Sequence, residues 1–242
     1  MNDVKFLLTG DSSLSVEFGR EISKELNNKV HALNILLKES DIDGILETVP
    51  TYRSLMIYYD ARKLTYEEVT SKFADMLEKL DTVELPKPSV IELPVLYGGE
   101  GGPDLEYVAK YNKITAEDVV RIHTSTPYLI YCLGFTPGFP IMGGLSPEIA
   151  TPRLASPRVL LPANTVGIGG NQTGAYPIDS PGGWQLIGHM PIKLYDPGRR
   201  NPVLLSAGMY AQFISINRDE YIRIKEQVEQ GTYECKVYEM EG

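Results

Sequence analysis

Backbone punctuation divides this chain more sharply than any other feature. Residues 1–85 hold three of its 22 glycines (Gly10, Gly19, Gly44) and one of its 17 prolines (Pro50), and the remainder is crowded with both. Proline removes a backbone donor and fixes φ, while glycine supplies the turn conformations that other residues resist. Two stretches so differently punctuated call for two architectures. The segment from Asp81 to Ser89 carries Pro86 and Pro88, which forbid helix continuation, and reads as the connection. The expectation is an α+β chain with a small α/β sandwich domain over residues 1–85 and a β-rich domain over residues 86–242.

Within the first stretch, Val4–Thr9 and Leu14–Phe18 are apolar runs around the turn signal Gly10-Asp11-Ser12. Ile22, Leu26, Val30, Leu33 and Leu37 recur at helical spacing and predict an amphipathic helix. Gly44–Val49 and Leu55–Tyr59 predict paired strands. A second helix runs through Val69, Phe73 and Leu80, opened by Thr65 with Glu68 completing a capping box. The order β-β-α-β-β-α suits a small sheet with helices on one face.

Past residue 86 the chain opens with a strand, Val90–Leu96, and a glycine run, Gly98 to Gly102. Pro103 stands where a first helical residue would be, ahead of a short helix from Asp104 to Tyr111, and Thr115 with Asp118 caps another that ends at His123. Short apolar runs follow: Tyr128–Leu133, Val159–Leu161, Val166–Ile168, Trp184–Ile187, Ile192–Tyr195 and Ala211–Ile216. Frequent turns between them predict a β-barrel or sandwich, closed by a helix over Asp219–Gln230.

Charge and cysteine content narrow the function classes. The net charge of −9 argues against a general nucleic-acid or anionic-membrane surface, which needs a cationic footprint. Cys132 and Cys235 have no CxxC neighbour, so neither a zinc site nor a disulfide framework is expected. No apolar stretch approaches the roughly 20 residues that span a bilayer, and the N-terminal apolar run is too short for a signal peptide. A cytoplasmic protein with reduced thiols and no metal site is the expectation.

The candidate chemistry lies in the second half. Gly167–Gly174 is rich in glycine but precedes no helix, so a dinucleotide fingerprint fails, and no phosphate-loop motif occurs. The run is either a hairpin tip or a loop presenting Asn171, Gln172 and Thr173 to a small polar ligand. The breaker-rich stretch from Gly134 to Leu145 is expected to be an ordered loop that packs Phe135, Phe139 and Met142, as a plug or as a groove wall. Trp184 is either barrel core or the floor of a site beside Gln185 and His189. Arg153 and Arg158 could clamp a carboxylate or phosphate, or be surface charge. His123 and His189 are the histidines of this half that could transfer protons near neutrality.

Several long motifs, each occurring once, stand in order along the chain. They include Ile91-Glu-Leu-Pro-Val-Leu-Tyr-Gly-Gly-Glu, Gly102-Pro-Asp-Leu-Glu and Leu133-Gly-Phe-Thr-Pro-Gly-Phe-Pro. Thr151-Pro-Arg-Leu-Ala-Ser-Pro-Arg, Pro162-Ala-Asn-Thr-Val-Gly-Ile-Gly-Gly-Asn-Gln-Thr-Gly and Ser180-Pro-Gly-Gly-Trp-Gln-Leu-Ile-Gly follow. Over nearly the whole chain this pattern resembles the family of the 5-oxoprolinase B-type subunit, the sporulation kinase inhibitor of bacilli, and allophanate hydrolase subunit 1. Gly101, Thr136 and Asn164 are mild departures from it. The resemblance implies a cyclophilin-like β-barrel in the second domain and ATP-driven opening of 5-oxoproline to glutamate. It also implies Mg as the counter-ion of ATP, and C-type and A-type partner subunits without which the chain is inactive. The alternatives that it leaves open are an inhibitor docking a histidine kinase, an allophanate hydrolase subunit 1-type protein, and a prolyl-peptide binding module. For the enzyme, the residues expected to converge on one pocket are Arg153, Asn171, Gln172, Thr173, Trp184, Gln185 and Phe139 for substrate, with His123 or His189 for proton transfer.

Overall fold

Hydrophobic alternation and capping build the first sheet. The computed structural model describes residues 4–134 and 136–240, and the chain separates into units of residues 1–86 and 87–242. In the first unit, β1 (Lys5–Gly10), β2 (Ser13–Glu17), α1 (Lys24–Ser40), β3 (Ile45–Pro50), β4 (Ser54–Tyr59) and α2 (Tyr66–Leu77) follow in order. The sheet is antiparallel throughout, ordered β1-β2-β4-β3. Leu14 and Val16 on β2 and Leu55 and Ile57 on β4 point to one face, where they bury with Val30, Leu33 and Phe73 of the helices.

The caps set the helix limits. Ser23 accepts a hydrogen bond from the Leu26 N–H, so α1 starts after it and Ile22, expected inside the helix, is 58% exposed. Thr65 and Glu68 form the expected capping box of α2. That helix ends at Leu77, and Leu80 belongs to a following 3₁₀ turn.

The second unit contains β5 (Ser89–Tyr97), α3 (Leu105–Asn112), α4 (Ala116–His123), β6 (Tyr128–Leu133), β7 (Pro140–Gly143), β8 (Arg158–Leu161), β9 (Thr165–Gly169), β10 (Gln172–Ala175), β11 (Ser180–Gly182), β12 (Gln185–His189), β13 (Tyr210–Ser215), α5 (Arg218–Glu229) and β14 (Val237–Glu239). Its main sheet runs β10-β9-β12-β5-β13-β6-β7, with β14 added on β5. Only the β5–β13 pair among these is parallel. The two ends of the path come together: a Cβ placed on Gly174 of β10 would stand 3.3 Å from the Pro140 carbonyl oxygen of β7. The result is a nearly closed barrel-like sheet, so the chain is mixed α+β. Inside it Ile91, Leu93, Val95, Ile130, Val166, Ile168, Ile187 and Phe213 are buried.

Three sequence expectations are corrected. The stretch from Gly134 to Leu145 is not wholly a loop, because Pro140–Gly143 pairs with β6. Its proline is tolerated as the first residue of a strand that ends the sheet path. Met142 is buried there, while Phe135 lies outside the described residues. Conversely, Ile192–Tyr195 forms no strand beyond an isolated Tyr195–Val203 bridge, and its alternation reflects burial of Ile192 and Leu194. Pro103 precedes α3 rather than starting it, since Asp104 takes the cap position.

Glycine makes one face of this sheet usable. A Cβ on Gly169 would overlap Cδ1 and Nε1 of Trp184, the latter at 2.5 Å, and one on Gly174 would fall 3.3 Å from Cζ3 of the same ring. Gly169→Ala is expected to cost about 1–3 kcal/mol, the usual range for overpacking. Urea unfolding measures this, and a loss below about 0.5 kcal/mol, as at an unremarkable surface site, would show that the indole does not rest on this strand.

Candidate functional site

The strand period decides which side chains can meet. Gly169 pairs with Gln172, Gly167 with Gly174 and with Leu186. One face of β9, β10 and β12 therefore carries three glycines, Gln172 and Leu186, together with Trp184 just before β12. On that glycine platform the indole meets Phe139 and Tyr176 edge-on, with centroids 6.1 and 5.9 Å away. The exposed Arg153 guanidinium lies 5.7 Å from the Trp184 ring centre, with Nη2 3.5 Å from Gln172 Oε1. Arg153, Gln172, Trp184 and Phe139 thus come together. Trp184 is both packed, at 8% exposure, and the floor under a cation.

Arg158 is engaged otherwise. Its guanidinium donates to Asp104 Oδ1 at 2.7 Å and to the Trp184 carbonyl at 3.3 Å, while Asp104 Oδ2 accepts the Leu186 N–H at 2.7 Å. This pair ties the start of α3 to β12. Asp104 and Arg158 stand in two separate motifs, and nothing in the sequence pairs them, because Asp104 has the look of an ordinary helix-start residue.

The opposite face carries Ile168, Thr173 and Gln185, which share a register level. Thr173 donates to the Gly167 carbonyl at 3.0 Å, so its oxygen accepts the N–H of His123 Nε2 at 2.7 Å. His123 Nδ1 then accepts from the Tyr97 hydroxyl, also at 2.7 Å. The ring stacks on Phe213 at 4.6 Å and is wholly buried. Burial pushes its pKa from 6.5 down to about 3, so it is neutral at physiological pH. Gln185 donates to the Pro152 carbonyl at 2.8 Å; its buried Oε1 has no hydrogen-bond partner among the described residues.

His189 lies four residues beyond Gln185, about 13 Å along the strand. It borders a separate cavity of about 730 Å³ between the Gly98–Gly101 turn and α5. Its Nδ1 is 2.8 Å from the Tyr221 hydroxyl. Burial first, and the nearby Lys225 charge, hold its pKa below the ordinary value, partly opposed by backbone groups of Ala163 and Met190. Asn171 is exposed on the hairpin turn, beside Gly170 at φ +68°. The expected single pocket is therefore three places: the Arg153 face, the His123 core relay and the His189 cavity. Among the described residues no group of three or more His, Cys, Asp or Glu is placed to hold a metal, and no helix is long and apolar enough to cross a membrane.

The His123 relay has a pH signature. Between its folded value and 6.5 the unfolded chain binds a proton that the folded chain refuses, so stability is full above about pH 6.5 and falls on acidification. This one group contributes a slope of up to about 1.4 kcal/mol per pH unit. Urea unfolding at pH 7, 6 and 5 should show a flatter profile for His123→Gln than for the unsubstituted chain; equal slopes would contradict the relay.

Comparison with known proteins agrees with this architecture. Residues 4–205 match the family model for the carboxyltransferase domain, subdomain C and D. The B-type subunit of 5-oxoprolinase from Bacillus subtilis (strain 168) is 42% identical over 228 residues, covering 90% of this chain and 95% of that protein. Its counterpart from Escherichia coli O157:H7, also a 5-oxoprolinase B-type subunit, is 36% identical over 214 residues, covering 88% and 97%. The crystal structure of TTHA0988 matches with a TM-score of 0.73 and 36% identity over 85% of this chain, which spans only 40% of that longer polypeptide. With a family model over most of its length and near-full-length relatives of this similarity, the chain belongs to the carboxyltransferase-domain family, subdomain C and D, alongside the B-type subunits of 5-oxoprolinase.

Proposed function

We infer that the chain is the B-type subunit of an ATP-dependent 5-oxoprolinase, which converts 5-oxo-L-proline, ATP and water to L-glutamate, ADP and phosphate. The observation that carries this reading is the 42% identity to a 5-oxoprolinase B-type subunit across 95% of that protein's length. A five-membered lactam resists hydrolysis, and ATP hydrolysis drives its opening. ATP itself does not fit the described residues of this chain. The Gly167–Gly174 run is a β-hairpin rather than a strand-to-helix phosphate cradle. The cavity beside His189 is bordered by Glu100, Glu226 and Glu229 against Arg218 and Lys225, a poor host for a polyphosphate. The nucleotide, with Mg as its counter-ion, is accordingly assigned to the A-type partner.

This chain would contribute the Arg153 face. Arg153 offers an exposed guanidinium for the substrate carboxylate, Gln172 an amide for the lactam group, and Trp184 with Phe139 an apolar wall for the ring carbons. Thr173, His123 and Gln185 hold the strands behind that face, and Asn171 borders it on the turn. Val159 and Leu160 on the adjoining β8 are 90% and 64% exposed, an apolar edge suited to a C-type partner barrel. In TTHA0988 the matching region is likewise part of a larger polypeptide. A cytoplasmic setting accords with the use of ATP and with the unpaired thiols of Cys132 and Cys235.

Arg153→Ala and Gln172→Ala, each assayed in the complex reconstituted with both partners, are expected to lower activity at least tenfold, about 1.4 kcal/mol of transition-state stabilisation. Their melting temperatures should match that of the unsubstituted chain. Activity that falls only in step with stability would remove the Arg153 face from the site.

A further inference from the structure

The cavity beside His189 has features that the Arg153 face does not explain. Glycine lets its floor pack closely: a Cβ on Gly101 would come within 2.7 Å of the His189 Cβ, although Gly101 is not in a left-handed conformation, so its lack of a side chain is what allows the turn to lie against β12. The roof is α5, pinned to β12 by the bond between Tyr221 and His189. Arg218 and Lys225 lie three residues before and four after Tyr221, so they share its helix face and border the cavity. Neither forms an ion pair among the described residues. Leu96, Pro162 and Ile222 supply apolar lining.

The carboxylates among the lining residues limit what can enter. Glu226 and Glu229 occupy the last turn of α5, and Glu100 stands on the facing glycine turn. Two cations against three carboxylates leave the lining net negative, so a ligand with a single negative group is held only where Arg218 and Lys225 outweigh the carboxylates, and each further charge is penalised. A volume of about 730 Å³ is ample for a small organic acid.

We propose that this cavity is a binding site for a small monocarboxylate, in which Arg218 and Lys225 hold the carboxylate and the Tyr221–His189 bond positions the helix that carries them. The site is carried by its own geometry and goes beyond the role of the Arg153 face. It is complete within this chain, so binding requires no partner subunit.

The test is an NMR titration of the full chain with 5-oxo-L-proline as the monocarboxylate probe and ATP as the polyanion. The backbone amides of Gly99 and Gly101 should shift on saturation with 5-oxo-L-proline. The Arg218→Ala/Lys225→Ala double variant should bind at least tenfold more weakly, and Lys225→Gln, which keeps most of the side chain, at least threefold. Arg223→Ala, on the same helix but outside the cavity lining, and Arg153→Ala should leave these amide shifts and their Kd unchanged. The proposal is overturned if the glycine amides do not move at saturating probe, if the double variant binds like the unsubstituted chain, or if ATP binds there as tightly as 5-oxo-L-proline. Loss of these shifts in Arg153→Ala would likewise overturn it, by placing the probe on the other face.

Discussion

A tryptophan resting on glycine is the contact on which the second unit's surface chemistry depends. Burying one face of a strand pair usually requires side chains from both partners, but here Gly167, Gly169 and Gly174 leave that face bare and Trp184 covers it. Truncating a packed indole of this kind costs about 3–5 kcal/mol. The ring then serves as a base for Arg153 and as a wall shared with Phe139 and Tyr176. Moving the glycines would lift the ring and disperse the cation, the amide of Gln172 and the aromatic edges together.

The same strands face inward with the opposite chemistry. Thr173, one residue from Gln172, hydrogen-bonds a buried neutral histidine, and that histidine is held from its other side by Tyr97. A fully satisfied polar relay in a core fixes strand position where aliphatic packing alone would tolerate slippage. The Arg158–Asp104 pair does comparable work from outside, joining α3, β8 and β12 through both carboxylate oxygens. The exposed Arg153 face is thus backed by two rigid polar fastenings, the arrangement that a recognition surface requires.

Much of the fold is legible in the sequence because its signals are local. The capping boxes at Thr65 and Thr115 and the helical spacing of Val30, Leu33 and Leu37 act within a few residues. The glycine and proline asymmetry marks the change of architecture near residue 86. Strands β10, β11 and β14 leave no such mark, because they are three or four residues long and held by pairing rather than by apolar pattern. The site is legible in part for a related reason. Arg153, Phe139, Gln172 and Trp184 do converge, but residue types alone do not say which strand face each takes. Thr173 and Gln185, expected beside them, turn the other way, a consequence of period two that appears only with the register. Tyr97 and Asp104 lie within the long motifs and Tyr221 in none, but the local sequence gives the role of none of the three, since each acts through a partner at least 26 residues away.

A chain that supplies a recognition face to an assembly should catalyse nothing alone. The direct measurement is 5-oxo-L-proline-dependent release of phosphate and glutamate from the complete mixture of this chain with its C-type and A-type partners, compared with mixtures that omit each component. Turnover is expected in the complete mixture and none in this chain by itself or in the mixture that lacks it. Turnover by the isolated chain, or full activity in its absence, would rule out that role.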